Sequence, residues 1–169
     1  MQKIIQIGGI ILFSVGEYIS HPMHGAGMIE NIVTKKIDGI NREYYALKLP
    51  VGDMLVLVPV EGCENIGVRE IISAEEAQKV LDAFPQIDVS MTQNWNKRYR
   101  ENMLKIKSGK PMEVAEVVKG LMARDLERGL STGERRMLHL SKQILFSEMV
   151  IALGRGFAEI EQQVNEYMS

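Results

Sequence analysis

Between Val15 and Ile72 the apolar positions come in short runs of β-branched and aromatic residues, and after Ser73 they recur every three to four positions. Side chains alternate across a strand with a period of two and return to one face of a helix after 3.6 residues, so the first stretch predicts strands and the second helices. Turn signals at His24-Gly25, Asp38-Gly39, Gly52-Asp53 and Glu61-Gly62 divide the first stretch. Asp38-Gly39 is the strongest, because a tight hairpin needs positive φ and glycine supplies it cheaply. The segments between them are Ala26–Lys36, Arg42–Leu49 and Met54–Val60. In the last, Met54, Val56, Val58 and Val60 alternate with Leu55, Leu57 and Pro59, so both faces are apolar, and Pro59 favours an edge because it lacks a ladder N–H. Four or five short strands predict a small, strongly bent sheet or β-barrel of SH3 or Tudor type, with an edge open to a partner strand.

The helical half carries its own punctuation. Ser73-Ala-Glu-Glu76 is a capping box, followed by an apolar stripe of Ala77, Val80, Leu81 and Phe84 and a stop at Pro85. Thr92 is the expected N-cap of a helix from about Gln93 to Lys107, closed by Gly109. Pro111 opens a third helix with Val114, Val117, Val118, Leu121 and Met122 inward, ended by Gly129. Ser131-Thr-Gly-Glu134 is a second capping box, and it starts a helix burying Met137, Leu138, Ile144, Leu145 and Met149. Gly154 and Gly156 break that helix, and Phe157, Ile160, Val164 and Tyr167 mark the last one. The fold class is α+β: a β module over residues 13–72, then an all-α bundle of four to five helices over 73–169. Residues 1–12, an apolar run with one lysine, read as an extra edge strand or an extension. That run is far short of the ~20 residues a bilayer-spanning helix needs, and its thin basic region and missing cleavage site argue against a signal peptide.

Composition sharpens this picture in two places. Of 169 residues, 46% are hydrophobic and 25% charged, which excludes wholesale disorder. A single cysteine, Cys63, cannot form an internal disulfide or a multi-cysteine zinc site, which suits a reducing compartment such as the cytoplasm. The formal net charge of −2 conceals a pattern. Residues 97–142 hold 12 Lys/Arg against 6 Asp/Glu, while every other part of the chain is acidic. This basic block begins two residues after Trp95, the only tryptophan.

Enzyme signatures are missing: there is no P-loop, no G-x-S-x-G, no H-E-x-x-H and no dinucleotide-binding glycine pattern. No cofactor is expected. His21 and His24 flank Pro22-Met23, and with Cys63 they fall short of a usual metal ligand set. The informative stretch is Asn94-Trp-Asn-Lys-Arg-Tyr-Arg100. At about 100° per residue, Trp95, Arg98, Tyr99 and Asn102 fall along one side, with Met103 and Ile106 toward the bundle. A lone tryptophan is commonly a core or interface anchor. Flanked by Asn94 and Asn96 and followed by Lys97, Arg98 and Arg100, it can instead wedge at base edges while the cations hold phosphates. Arg124, Arg128, Arg135 and Arg136 would widen that surface.

Taken in order, these motifs resemble the CarD/CdnL family of bacterial transcription regulators from about Phe13 to Leu153. The resemblance rests on Phe13-Ser-Val-Gly16, Tyr18-Ile-Ser-His-Pro-Met-His-Gly25, Glu43-Tyr-Tyr-Ala-Leu-Lys48, Val58-Pro59 and Val68-Arg69. Asn94–Arg100, Lys110–Arg124 and Glu127-Arg-Gly-Leu-Ser-Thr-Gly-Glu134 complete it. It implies a Tudor-like module that binds the RNA polymerase β subunit and a helical domain that contacts promoter DNA. The tryptophan matching Trp95 would wedge into the minor groove at the upstream edge of the transcription bubble and stabilise the open complex. The implied DNA contacts are Trp95, Lys97, Arg98, Arg100, Lys105, Arg124 and Arg128. The implied polymerase contacts are Lys35, Lys36 and Ile37 on the hairpin and Val56, Leu57 and Val58 on the strand after it. Leu57 departs from relatives that carry a basic residue there, and residues 1–12 precede the usual family start. The expected partners are polymerase and DNA without a membrane, with the protein a monomer on the promoter. The competing expectation is a protein-interaction adaptor, in which Trp95 packs between the modules and the basic block is solvated surface.

Overall fold

The computed structural model describes residues 5–7 and 10–169, with side chains from Phe13 onward. β1 (Ile5–Ile7) and β2 (Ile10–Leu12) pair antiparallel as a hairpin of their own, apart from the main sheet. The remainder of the N-terminal run lies outside the described residues.

β3 (Tyr18–His21), β4 (Gly25–Ile37), β5 (Ile40–Lys48), β6 (Leu55–Pro59) and β7 (Arg69–Glu70) form an antiparallel sheet in the order β6-β5-β4-β3-β7. Asp38 and Gly39 both take positive φ, 51° and 78°, and close the β4–β5 hairpin with Ile37 opposite Ile40. The register slips between Ile29 and Asn31, so Glu30 is an extra residue that bends the long strand over its core. Beneath the bend lie Phe13, Ile19, Ile29, Tyr45, Leu47, Val58, Cys63 and Val68. The Tyr45 hydroxyl accepts the Phe13 N–H at 2.9 Å, which satisfies the one polar group this aromatic brings inside. β6 and β7 are the edges, and Pro59 ends β6, as its missing donor requires.

At Gly27, three residues before that bulge, β4 has no room for a side chain. A Cβ there would collide with the Lys48 backbone carbonyl, which cannot swing aside as a flexible side chain would. Gly27→Ala is expected to cost about 1–3 kcal/mol through overpacking, read as a lowered urea midpoint with an unchanged slope.

Five helices follow: α1 (Ala74–Ala83), α2 (Trp95–Lys107), α3 (Pro111–Arg128), α4 (Thr132–Leu153) and α5 (Phe157–Tyr167). Both capping boxes form, Ser73 with Glu76 and Ser131 with Glu134. The N-cap of α2 is Asn94, two residues beyond the expected Thr92. The Asn94 carboxamide oxygen accepts the Lys97 N–H at 2.9 Å, so Trp95 becomes the first helical residue. Val80, Leu81, Phe84, Ile106, Val117, Leu121, Leu145, Phe146 and Ile160 fill the bundle core.

The long α4 joins the two halves. The Ser147 hydroxyl accepts the Ala26 N–H of β4 at 2.9 Å, and a Cβ on Gly25 would approach that same oxygen to 2.5 Å. One residue on, the Glu148 carboxylate takes both ends of the Arg69 guanidinium at 2.6 and 2.9 Å and also the Ile72 N–H at 3.0 Å. Arg69 spends its remaining reach on the Gly109 carbonyl at 2.8 Å, tying β7 to the α2–α3 turn as well.

Candidate nucleic-acid interface

Placement at the first position of α2 leaves Trp95 with no preceding helical turn to pack on. Its indole lies instead on Tyr99, one turn later, with ring centroids 5.1 Å apart and planes 20° from parallel. The indole N–H donates to the Ser131 hydroxyl at the start of α4, at 3.1 Å. Held at these two points, the ring remains 43% exposed. A large aromatic, fixed in orientation and open on a polar surface, is the geometry of a stacking or wedging element.

Beneath it lies a buried ionic cluster. Arg98 is 2% exposed, its Nε donating to Glu134 at 2.7 Å and its Nη1 to the Thr92 and Gln93 carbonyls at 3.0 and 3.1 Å. This corrects the expectation that Arg98 contacts DNA: a guanidinium this deep, with Nε and Nη1 already engaged, is held inside the bundle and not offered to a phosphate. Trp95 shares the stripe of Ile106 and stays exposed because it is the first helical residue, whereas Arg98 and Asn102 turn inward. The cause is Glu134, itself buried, whose carboxylate closes the α4 capping box and needs a counter-charge. Arg124 also turns toward it, its Nε 3.8 Å from Glu134 Oε1 and without a hydrogen-bond partner among the described residues. Burial pushes the Glu134 carboxyl upward, but the hydrogen bond from Arg98 and those from Ser131 prevail and hold it below the ordinary glutamate range.

The other cations divide between surface and interior. Lys97, Arg100 and Arg128 are exposed, Arg128 at the α3–α4 turn. Arg128 donates to the Gln93 side chain at 3.1 Å. Lys105 is engaged with Glu116 at 2.9 Å, and Arg124 is mostly covered. Arg135 and Arg136 project from the first turns of α4. Lys119 is spent inside, its ammonium donating to the Pro85 and Ile87 carbonyls at 2.7 and 3.0 Å above the Phe84 ring. The basic block therefore overstates the free positive surface.

At the far side of the β module, the second set of expected contacts separates by strand alternation. Leu55 and Leu57 face outward from β6, while Val56 is half-buried and Val58 is 1% exposed against the core. Val58 is thereby corrected as a side-chain contact; its backbone lies on an edge strand paired on one side with β5. Lys35, Lys36 and Ile37 are exposed at the hairpin, joined by Ile40. Leu55, Ile40, Tyr99 and Ser131 are the residues that sequence reading passed over. The strict alternation of β6 was a signal for Leu55 and the i, i+4 spacing from Trp95 one for Tyr99, whereas no local signal paired Ser131 with the indole.

The histidines and the cysteine have structural work. His21 Nδ1 accepts the Met23 N–H at 3.0 Å, and burial, with His24 beside it, lowers its pKa to about 4, so the ring stays neutral and able to accept. Cys63 is buried, and that burial pushes its thiol upward, away from the reactive thiolate. Among the described residues, no three His, Cys, Asp or Glu side chains gather as a metal would need, and no helix is long and apolar enough to cross a membrane.

Comparison with known proteins adds a second line. Residues 13–72 match the family model of the CarD-like/TRCF RID domain, and residues 79–165 match that of the CarD C-terminal domain. The chain is 31% identical over 143 residues to a Bacillus subtilis (strain 168) protein described as "Putative transcription factor YdeB". That alignment spans 85% of this chain and 94% of the relative.

Proposed function

The chain belongs to the CarD-like family of transcription factors, and from that premise we propose that it bridges RNA polymerase and promoter DNA and stabilises the open complex through Trp95. Membership makes it a transcription factor rather than an enzyme and makes residues 13–72 an RNA polymerase-interacting domain. The rest of this reading is our inference from the geometry.

The observation that carries it is the mounting of Trp95, pinned by Tyr99 and Ser131 yet 43% exposed. The adaptor alternative requires this indole to be buried between the modules, and its exposure supports the DNA-contacting reading instead. A protein that binds the open promoter more tightly than the closed one shifts their equilibrium without chemistry. The indole wedges at the upstream edge of the bubble in the minor groove, where bases must unstack. Lys97, Arg100 and Arg128, with Lys105 and Arg124 at the margin, hold the flanking phosphates. So few free cations give weak, salt-sensitive binding alone, and the tether to polymerase raises the local concentration that makes the wedge effective.

The polymerase β subunit is engaged by the β6 edge. Its unpaired backbone groups accept a partner strand, Leu55 and Leu57 supply apolar contact, and Lys35, Lys36 and Ile37 flank it from the hairpin. Leu57 makes this contact apolar where some relatives have a charge. The two modules, 13–72 and 73–169, thus divide recruitment from DNA contact, with one protein copy per promoter in the cytoplasm.

Trp95→Ala is expected to shorten the open-complex lifetime roughly fivefold to a hundredfold, the value of about 1–3 kcal/mol for one base–aromatic stack. Polymerase affinity should stay within about twofold, since the β6 edge is untouched. Equal lifetimes at saturating protein, measured by promoter dissociation against a competitor, would sink the wedge reading.

A further inference from the structure

We propose that Ser131 is a positioning residue for the Trp95 wedge, holding the indole in its DNA-competent orientation from the start of α4. This deepens the DNA-contacting reading and rests on it. A serine hydroxyl has one donor and two acceptor positions, and all three are used here. The hydroxyl lies 3.2 Å from Glu134 Oε2, to which it donates, accepts the Glu134 N–H at 3.2 Å, and accepts the Trp95 indole N–H at 3.1 Å. The oxygen is therefore immobile, fixed by the capping box of another helix, and the indole has only this one N–H to offer.

The two restraints on the ring are complementary. Stacking on Tyr99 sets the plane of the indole but lets it slide and spin within that plane. The hydrogen bond to Ser131 removes that remaining freedom. The benzo edge also meets the first turn of α4, where a Cβ on Gly133 would sit 3.5 Å from Cζ2, an ordinary contact distance. A wedge oriented in advance loses less side-chain freedom when it enters the groove, and that gain appears in the lifetime of the complex. Ser131 never touches DNA in this scheme; it acts through Trp95.

Ser131→Gly tests this without dismantling the helix, because glycine is nearly as good an N-cap as serine but offers no side-chain oxygen. Trp95 is the sole tryptophan, so fluorescence of the full-length protein excited at the red edge of the indole band, where its 5 tyrosines barely absorb, reports on this indole. Expected for Ser131→Gly are lower steady-state anisotropy, stronger acrylamide quenching and an open-complex lifetime reduced about threefold to tenfold, the worth of one net hydrogen bond. Its melting temperature should be close to that of the parent, and Ser131→Thr, which restores the hydroxyl, should recover all three readouts. Wild-type anisotropy and quenching in Ser131→Gly would overturn the proposal, as would a shortened lifetime that Ser131→Thr fails to restore. The two readings fail separately: an unaltered lifetime in Trp95→Ala removes the wedge, whereas an unaltered indole signal in Ser131→Gly removes only its anchor.

Discussion

Glu134→Ala is expected to destabilise the protein by about 3–5 kcal/mol, the penalty for stranding a buried charge by removing its partner. The lost carboxylate closes the α4 capping box, receives the Arg98 Nε at 2.7 Å and faces the Arg124 Nε at 3.8 Å. Without it Arg98 keeps two backbone acceptors but remains a guanidinium inside the bundle. Urea unfolding monitored by far-UV circular dichroism measures the loss. Combining Glu134→Ala with Arg98→Met should cost less than the sum of the two single changes, because the second removes the charge that the first leaves unpaired. Additive losses would show that the pair does not act as a unit.

The same carboxylate gives the protein an acid limit. Its pKa in the folded state lies below the ordinary glutamate value of 4.5, so the folded state binds this proton less readily than the unfolded one. Its contribution is therefore fully present above the unfolded value and is lost as pH falls through the folded one. Wild-type stability should decline below about pH 4.5 more steeply than that of the Glu134→Ala variant, whose acid branch lacks this group.

Glu148→Ala should separate recruitment from open-complex stabilisation. Glu148 binds Arg69 through two hydrogen bonds and the Ile72 N–H through a third, exactly where the β module meets α4. The expected loss is about 2–4 kcal/mol, below the full cost of a buried pair because Arg69 reaches solvent and can be rehydrated. The functional loss follows from geometry. Ser131, which holds Trp95, and Ser147, which holds β4, lie on one helix about 24 Å apart at 1.5 Å per residue. In the proposed arrangement, α4 with its clasp closed carries the position of the polymerase-bound sheet to the indole. An open clasp would leave the proposed wedge tethered but no longer aimed, and lower its effective concentration at the bubble edge. Polymerase binding by Glu148→Ala should remain near the parent value while the open-complex lifetime drops toward that of Trp95→Ala. An unchanged lifetime at saturating protein would mean that α4 does not transmit position.

Much of this was legible in the chain, because the signals were local. Asp38-Gly39 specified its turn through backbone sterics alone, and the two S-x-x-E boxes marked the starts of α1 and α4. The resemblance implies Val56, Leu57 and Val58 together as contacts; both faces of β6 are apolar, so only packing shows that Val58 is covered and Leu57 is not. Arg98 was misplaced for a related reason. A helical wheel gives relative angles, not the phase of the helix against its neighbours, and the residue that sets that phase is 36 positions away in sequence.

By itself, then, the sequence determined the change from strands to helices near residue 73, the positions of the turns and caps, and the concentration of positive charge after Trp95. These depend on interactions within a few residues. The tertiary structure decided which of those charges remain free, with Arg98 and Lys119 consumed inside the bundle. It also decided that Trp95 stands open on a Tyr99–Ser131 mount and that one helix links that mount to the sheet. Burial and counter-charge are properties of elements brought together across the chain, and no local pattern of residues encodes them.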